Sequence, residues 1–396
     1  MTAAAPQHGG RTRKGHLRGS GQSSFARAGS KVATRLITSL PMPTHPHCRV
    51  TTNHVGSLGA IVIENELLSA TILLDKGADI LSLVHKRSGI DVMWKTPWGL
   101  KRHAPGVSSA TSSTAIWLEL YPGGWQEIFP NGGAPCAYKG AELNMHGEAS
   151  MTTWDAEIIV EAGDAAEVKL TTRLARSPFR LQRAMRVGKG RAVLEIHERI
   201  TNEGDEPMAY MWGHHPALGA PFLSEACRID LDAATIVADD AYDPPFNPMQ
   251  PASSYRWPIV QRDGRETDLS RIPPRSEPSA CLGYLSEFRS GWYGVTNTEL
   301  GFGFGLTWPT DVFPFAWLWR ELSASSGYPW YRCAHTMAIE PFSTIPGQGL
   351  ETAIRKGTHR TLAPGASVTA DLNAVLYDSR TGISGISPDG HIIQRT

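Results

Sequence analysis

Val168, Leu170, Thr172 and Leu174 alternate with Lys169, Thr171 and Arg173, the period-two pattern of a strand with one face buried. Leu194, Ile196, Glu198 and Ile200 set one face of a second such strand, with Glu195, His197 and Arg199 on the other. Turn-forming clusters separate these runs: Ala162-Gly163-Asp164, Gly188-Lys189-Gly190 and Asn202-Glu203-Gly204-Asp205. Glycine and Asn/Asp tolerate the backbone conformations that such reversals need. No stretch of about 12 residues carries a helical stripe, and no repeat of about 20 to 50 residues is present. The pattern predicts an all-β chain, a large antiparallel sandwich or barrel rather than alternating βαβ units.

Composition changes this picture little. The 396 residues are 41% hydrophobic and 19% charged, too apolar for a disordered protein. Lys+Arg and Asp+Glu balance at 38 each, which argues against nucleic acid as a partner of the folded part. No run approaches the roughly 18 apolar residues needed to span a bilayer, so no membrane partner is expected. Five dispersed cysteines without a Cys-x-x-Cys pair offer neither a zinc ribbon nor a thioredoxin motif. They fit a reducing compartment, and a cytoplasmic location is expected.

Charge is unevenly placed, however. No Asp or Glu precedes Glu64, whereas Arg11, Arg13, Lys14, Arg18, Arg27, Lys31, Arg35 and Arg49 do. Residues 1–45 are also rich in Gly, Ser, Ala and Thr, and are expected to form a basic disordered tail. A transit-like segment, or translation starting at Met42, would account for the same composition. Residues 379–396, with Gly382, Gly385 and Pro388-Asp389-Gly390, read as a second tail. Residues 46–378 are then one domain.

Familiar chemistries find no support in the motifs. Gly301-x-Gly303-x-Gly305 lacks the third glycine of a dinucleotide fingerprint, because Leu306 stands there. Phosphate-loop, Gly-x-Ser-x-Gly and His-Glu-x-x-His motifs are absent. Three segments stand out instead. The first runs from Gly123-Gly124-Trp125-Gln126-Glu127-Ile128-Phe129-Pro130 to Met145-His146-Gly147-Glu148-Ala149 and Trp154. The second is Gly213-His214-His215-Pro216-Ala217-Leu218, and the third Met337-Ala338-Ile339-Glu340-Pro341. Each sets a titratable or hydrogen-bonding residue beside Gly or Pro, where the backbone can aim a side chain into a cleft. A histidine and a carboxylate are the minimal equipment for moving protons near neutral pH. If His214 and His215 lie on a strand they face opposite ways, so only one enters a cleft. All 12 tryptophans fall between Trp94 and Trp330, and their flat faces suit stacking on sugar C–H surfaces as well as core packing.

In order and spacing these segments resemble the aldose 1-epimerase (mutarotase) family, whose fold is a large antiparallel β-supersandwich. The nearest branch in motif spacing contains the hexose-6-phosphate 1-epimerases. Its Arg-Gly-Gly-x-x-x-x-Phe-Pro is matched by Gly123, Gly124, Phe129 and Pro130. His146, Gly147, Ala149 and Trp154 match its His-Gly-x-Ala-Arg and following Trp, His215 and Pro216 its His-Pro, and Glu340 and Pro341 its Glu-Pro. The resemblance spans about residues 55 to 378. The branch's two arginines, however, are Pro122 and Ser150 here, and Ala217-Leu218 replaces its Tyr-Phe. Arginine is the residue suited to clamping a phosphate, so their loss argues for a non-phosphorylated sugar.

The resemblance implies interconversion of α and β anomers of a small-molecule aldose, with Glu340 as base and His215 as acid. It further implies that His146 and His214 contact the sugar, Trp125 and Trp154 stack on it, and Gln126 and Glu127 bind its hydroxyls. Proton transfer alone suffices for this reaction, so no metal or other cofactor is expected. Three other readings stay open: a carbohydrate-binding or sensory module without turnover, a metal-dependent sugar isomerase using His146, His214, His215 and Glu340, and a lyase or hydrolase on the same fold. The oligomeric state cannot be read from the sequence.

Overall fold

The computed structural model describes residues 47–100 and 110–395. The basic segment 1–45 lies outside them. The described residues belong to one compact unit built on a thirteen-stranded and an eight-stranded sheet. Neighbouring strands pair antiparallel throughout both.

The period-two reading accounts for the second sheet directly. In the strand Ala165–Arg173 the residues Ala166, Val168, Leu170 and Thr172 are buried, alternating with partly exposed neighbours. In Val193–Asn202 the face Leu194, Ile196, Glu198 and Ile200 is buried, and His197 and Arg199 are exposed. These faces meet Ile61, Ile63, Ile72, Ile80, Leu318 and Ile339 of the larger sheet in one apolar core. A two-layer sandwich follows because each sheet has an apolar face that only the other can cover.

Strands at the centre of the larger sheet run in the order Asp79–His85, Trp125–Ile128, Gly213–Gly219, His335–Phe342, Phe315–Leu322. Here both faces are buried, and Gly213–Gly219 and His335–Phe342 show no exposed residue. A second layer therefore covers the outer face of this region. Part of it is helix α1 (Ser113–Leu120), whose N-cap Ser112 accepts the Ala115 N–H. Helix α2 (Leu350–Lys356) ends at Gly357 in the left-handed conformation that closes helices.

The C-terminal segment corrects the sequence reading. Within 379–396, Ile383–Ile386 and Ile392–Gln394 form an antiparallel hairpin. Ile383 and Ile386 are buried against Trp292 and Tyr377, so the turn residues that suggested a tail instead reverse a packed hairpin. No described helix is long and apolar enough to cross a membrane.

Candidate active site

Strand register sets the site. Ile80 pairs with Trp125 and Gln126 with His215. Gly213 pairs with Phe342 and Ala217 with Ala338, which brings His215 opposite Glu340, and Glu340 pairs with Trp317. Cross-strand partners share a face. Asp79, Gln126, His215, Glu340 and Trp317 therefore form one row across five adjacent strands, on the face turned away from the second sheet.

His215 Nδ1 lies 3.0 Å from Glu340 Oε2, with both side chains buried, although their alignment falls short of a hydrogen bond. His215 Nε2 lies 3.1 Å from the Tyr121 hydroxyl at the end of α1. Burial, followed by the charges of Glu340 and Asp79, raises that hydroxyl well above its usual range, so it remains protonated. Tyr121 can thus donate to a neutral His215 ring and accept from a protonated one.

His146 stands beside this pair, its ring centroid 6.0 Å from that of His215 and 4.7 Å from Trp117. Its Nδ1 accepts the Gly133 N–H, which leaves the proton of the neutral ring on Nε2. Burial and then the proximity of His215 push His146 down to about 3, so it is neutral at physiological pH. The backbone of His146 is left-handed at φ 58°, uncommon for a residue with a side chain. Gly147 follows at φ 77°, where a β-carbon would lie 2.3 Å from the Phe129 carbonyl. Only glycine permits that approach, and the sharp turn presents the imidazole to the site. Trp117, Tyr121 and Trp319 flank the histidines, while Trp94, Trp98 and Trp330 extend the aromatic wall.

Residues 56–376 match a family described as a domain of unknown function, DUF4432. The chain belongs to this family. No curated protein matches it. Among solved structures, this DUF4432 member is similar to a protein from Klebsiella pneumoniae provisionally named an aldose 1-epimerase. Its TM-score is 0.61 at 16% identity, over 84% of each chain. It is also similar to a galactose mutarotase-like protein from Clostridium acetobutylicum, with TM-score 0.58 and 13% identity over 84% of this chain and 99% of that one. A galactose mutarotase related enzyme from Lactobacillus acidophilus gives TM-score 0.51 and 16% identity over 82% and 99%. At these identities the likeness shows the fold, and the DUF4432 chain is a galactose mutarotase-like antiparallel β-sandwich.

Of the sugar contacts expected from the DUF4432 sequence, His146 and Gln126 lie with His215 and Glu340. His214, Trp125, Glu127 and Trp154 do not. Alternation turns Trp125, Glu127 and His214 from the row's face towards the second sheet. His214 Nε2 lies 3.0 Å from Glu198 Oε2, and Trp125 donates to His214 Nδ1. Arg183 pairs with Glu127 at 2.6 Å and Glu198 at 2.5 Å, Trp212 donates to Glu127, and Trp154 lies against the Arg183 guanidinium. The structure places these four residues instead in a buried cluster between the sheets. Glu198, on an otherwise apolar strand face, is the sequence signal of that cluster. The same division separates the suggested metal set, because His214 points away from His146, His215 and Glu340. Among the described residues no group of three or more His, Cys, Asp or Glu is placed to hold a metal.

Proposed function

We propose that this protein interconverts the α and β anomers of a non-phosphorylated aldose, using Glu340 and His215. The observation that carries the reading is their pairing, a carboxylate and an imidazole 3.0 Å apart on one sheet face, beside a neutral histidine and aromatic walls. Glu340 takes the proton of the anomeric hydroxyl while the C1–O5 bond breaks, and protonated His215 gives its proton to O5. The resulting open-chain aldehyde turns about C1–C2. O5 then adds to the other carbonyl face, returning its proton to His215 as Glu340 protonates the new anomeric oxygen. Atoms and charges balance, and each enzyme group ends as it began. His146 donates Nε2–H to a sugar oxygen, and the aromatic rings pack against C–H faces.

The positions of the branch's arginines support a substrate without phosphate. Pro122 and Ser150 are both buried, and Ser150 Oγ accepts the Trp117 indole N–H. Anomeric exchange measured by NMR on free and 6-phosphorylated aldoses tests the reading. A free aldose is expected to exchange rapidly with wild type and to lose at least about 100-fold in Glu340→Gln and His215→Asn, as removal of an acid or base requires. Exchange confined to phosphorylated sugars would overturn the substrate class. Binding without exchange would replace the enzyme with a carbohydrate-binding module.

A further inference from the structure

Gln126 carries a polar atom that the reaction above does not use. Its Nε2 donates to Asp79 Oδ2 at 3.0 Å and to the Gly123 carbonyl at 2.8 Å. Both amide hydrogens are thereby engaged, which fixes the amide's orientation. Its Oε1 is fully buried with no partner. Asp79 is held in turn by Lys76, whose Nζ lies 2.5 Å from the same Oδ2, and neither side chain is more than 1% exposed. Asp79 Oδ1 also has no partner. Gln126 therefore offers an acceptor only, on the row's face, beside a carboxylate that Lys76 holds and the Arg183 charge also reaches. Leaving a buried acceptor unmade is costly, and here that acceptor neighbours His215 across a single strand pairing.

The order of the row supplies the rest, and this step rests on the anomer-exchange reading. Glu340, His215 and Gln126 follow one another on adjacent strands about 4.8 Å apart. In a pyranose the anomeric oxygen, the ring oxygen and the C5 substituent follow in the same order. With Glu340 at the anomeric hydroxyl and His215 at the ring oxygen, Gln126 falls beside C5. We propose that Gln126, positioned by the Lys76–Asp79 pair, reads the C5 substituent and selects a hydroxymethyl group, whose 6-hydroxyl donates to Oε1. A 6-deoxy sugar leaves the carbonyl unpaired. A 6-phosphate, 6-sulfonate or uronate brings an acceptor against an acceptor. This selection comes from residues that are present, independently of the missing arginines.

The test uses glucose and galactose, their 6-deoxy counterparts, their 6-phosphates and their uronates. Each is followed by anomeric exchange and, separately, by saturation-transfer NMR for binding. Wild type is expected to favour the hydroxymethyl sugars by about tenfold or more in kcat/KM, as one well-placed hydrogen bond allows. Gln126→Met keeps the side chain's length and removes the carbonyl. It should raise KM for hydroxymethyl sugars to the 6-deoxy level and change kcat only a few-fold. Asp79→Asn should blunt the same preference through KM, because the amide of Gln126 is no longer held. If either variant fails to fold, the wild-type ranking decides alone. Equal or better use of 6-deoxy or 6-anionic sugars overturns the inference. Exchange by none of them, with hydroxymethyl sugars still bound best, sustains the role of Gln126 and overturns the catalytic reading. Neither exchange nor binding overturns both.

Discussion

His146 and His215 show how two imidazoles with touching environments take different tasks. His146 is pushed down to about 3 by burial and by His215, so it is a fixed neutral donor over the whole physiological range. His146→Gln should therefore raise KM about tenfold, the value of one lost hydrogen bond. The shape of the pH–rate profile should stay as in wild type, and a vanished inflection would show that His146 itself titrates during turnover. Tyr121 holds the other ring, at 3.1 Å from His215 Nε2. Tyr121→Phe removes only that hydroxyl. Steady-state exchange kinetics should show kcat down about tenfold with KM nearly unchanged. A pure KM effect would make Tyr121 a sugar contact rather than a positioning residue for His215.

Strands make the inter-sheet cluster, and its energetics belong to them. Arg183 and Glu198 come from adjacent strands of the second sheet, Glu127 and His214 from the first. Arg183→Leu would leave the ionised Glu198 buried without its guanidinium partner, Glu127 being protonated at neutral pH, and should cost about 3–5 kcal/mol in denaturant unfolding. The carboxylates themselves respond oppositely to pH. Burial and the Glu198 charge raise Glu127 from 4.5 to about 8, against the pull of Arg183. Burial alone would raise Glu198 too, but His214 and Arg183 hold it down at about 2. The folded chain thus keeps the Glu127 proton longer than the unfolded chain does. That contribution is full below the unfolded value of 4.5 and is lost as pH rises towards 8, whereas that of Glu198 is lost as pH falls towards 2. The stability advantage of wild type over Glu127→Gln should accordingly shrink between pH 5 and pH 8, and a constant difference would count against the assignment. Alternation made these faces legible in the sequence, including Glu198 among apolar neighbours. Glycine and proline flanking made His146, His215 and Glu340 legible. What stayed hidden depended on pairing between distant strands: the sequence neighbours Gln126 and Glu127 parted to opposite faces, and Asp79 met Gln126 across 47 residues. Trp117 and Tyr121 were hidden for another reason, since a helix of eight residues is too short to show a stripe.

Across the molecule, the candidate site and the C-terminal packing occupy opposite sides of the sandwich. The row from Asp79 to Trp317 lies on the outer face of the larger sheet, while the hairpin Ile383–Gln394 covers the outer face of the smaller one. Gly294 and Gly303 lie beneath this cover, and Tyr377 fills the space that their missing side chains leave. Ile383 N–H donates to Asp230, and Asn373 donates to the Pro388 carbonyl, so polar contacts fix the hairpin as well. Burying two isoleucines contributes about 1.5–3 kcal/mol each, partly offset by the entropy of ordering the segment. Removal of residues 380–396 should therefore lower the unfolding free energy by at least about 2 kcal/mol and expose Trp292 to solvent, visible as a red shift in fluorescence. Sugar affinity by saturation-transfer NMR should stay within about twofold, because no residue of the row touches the hairpin and the core between them is shared by both sheets. A truncated chain of undiminished stability would restore the tail reading of this segment. A stable chain with lost affinity would mean that the two faces communicate through the core, since packed interiors transmit strain rather than absorb it.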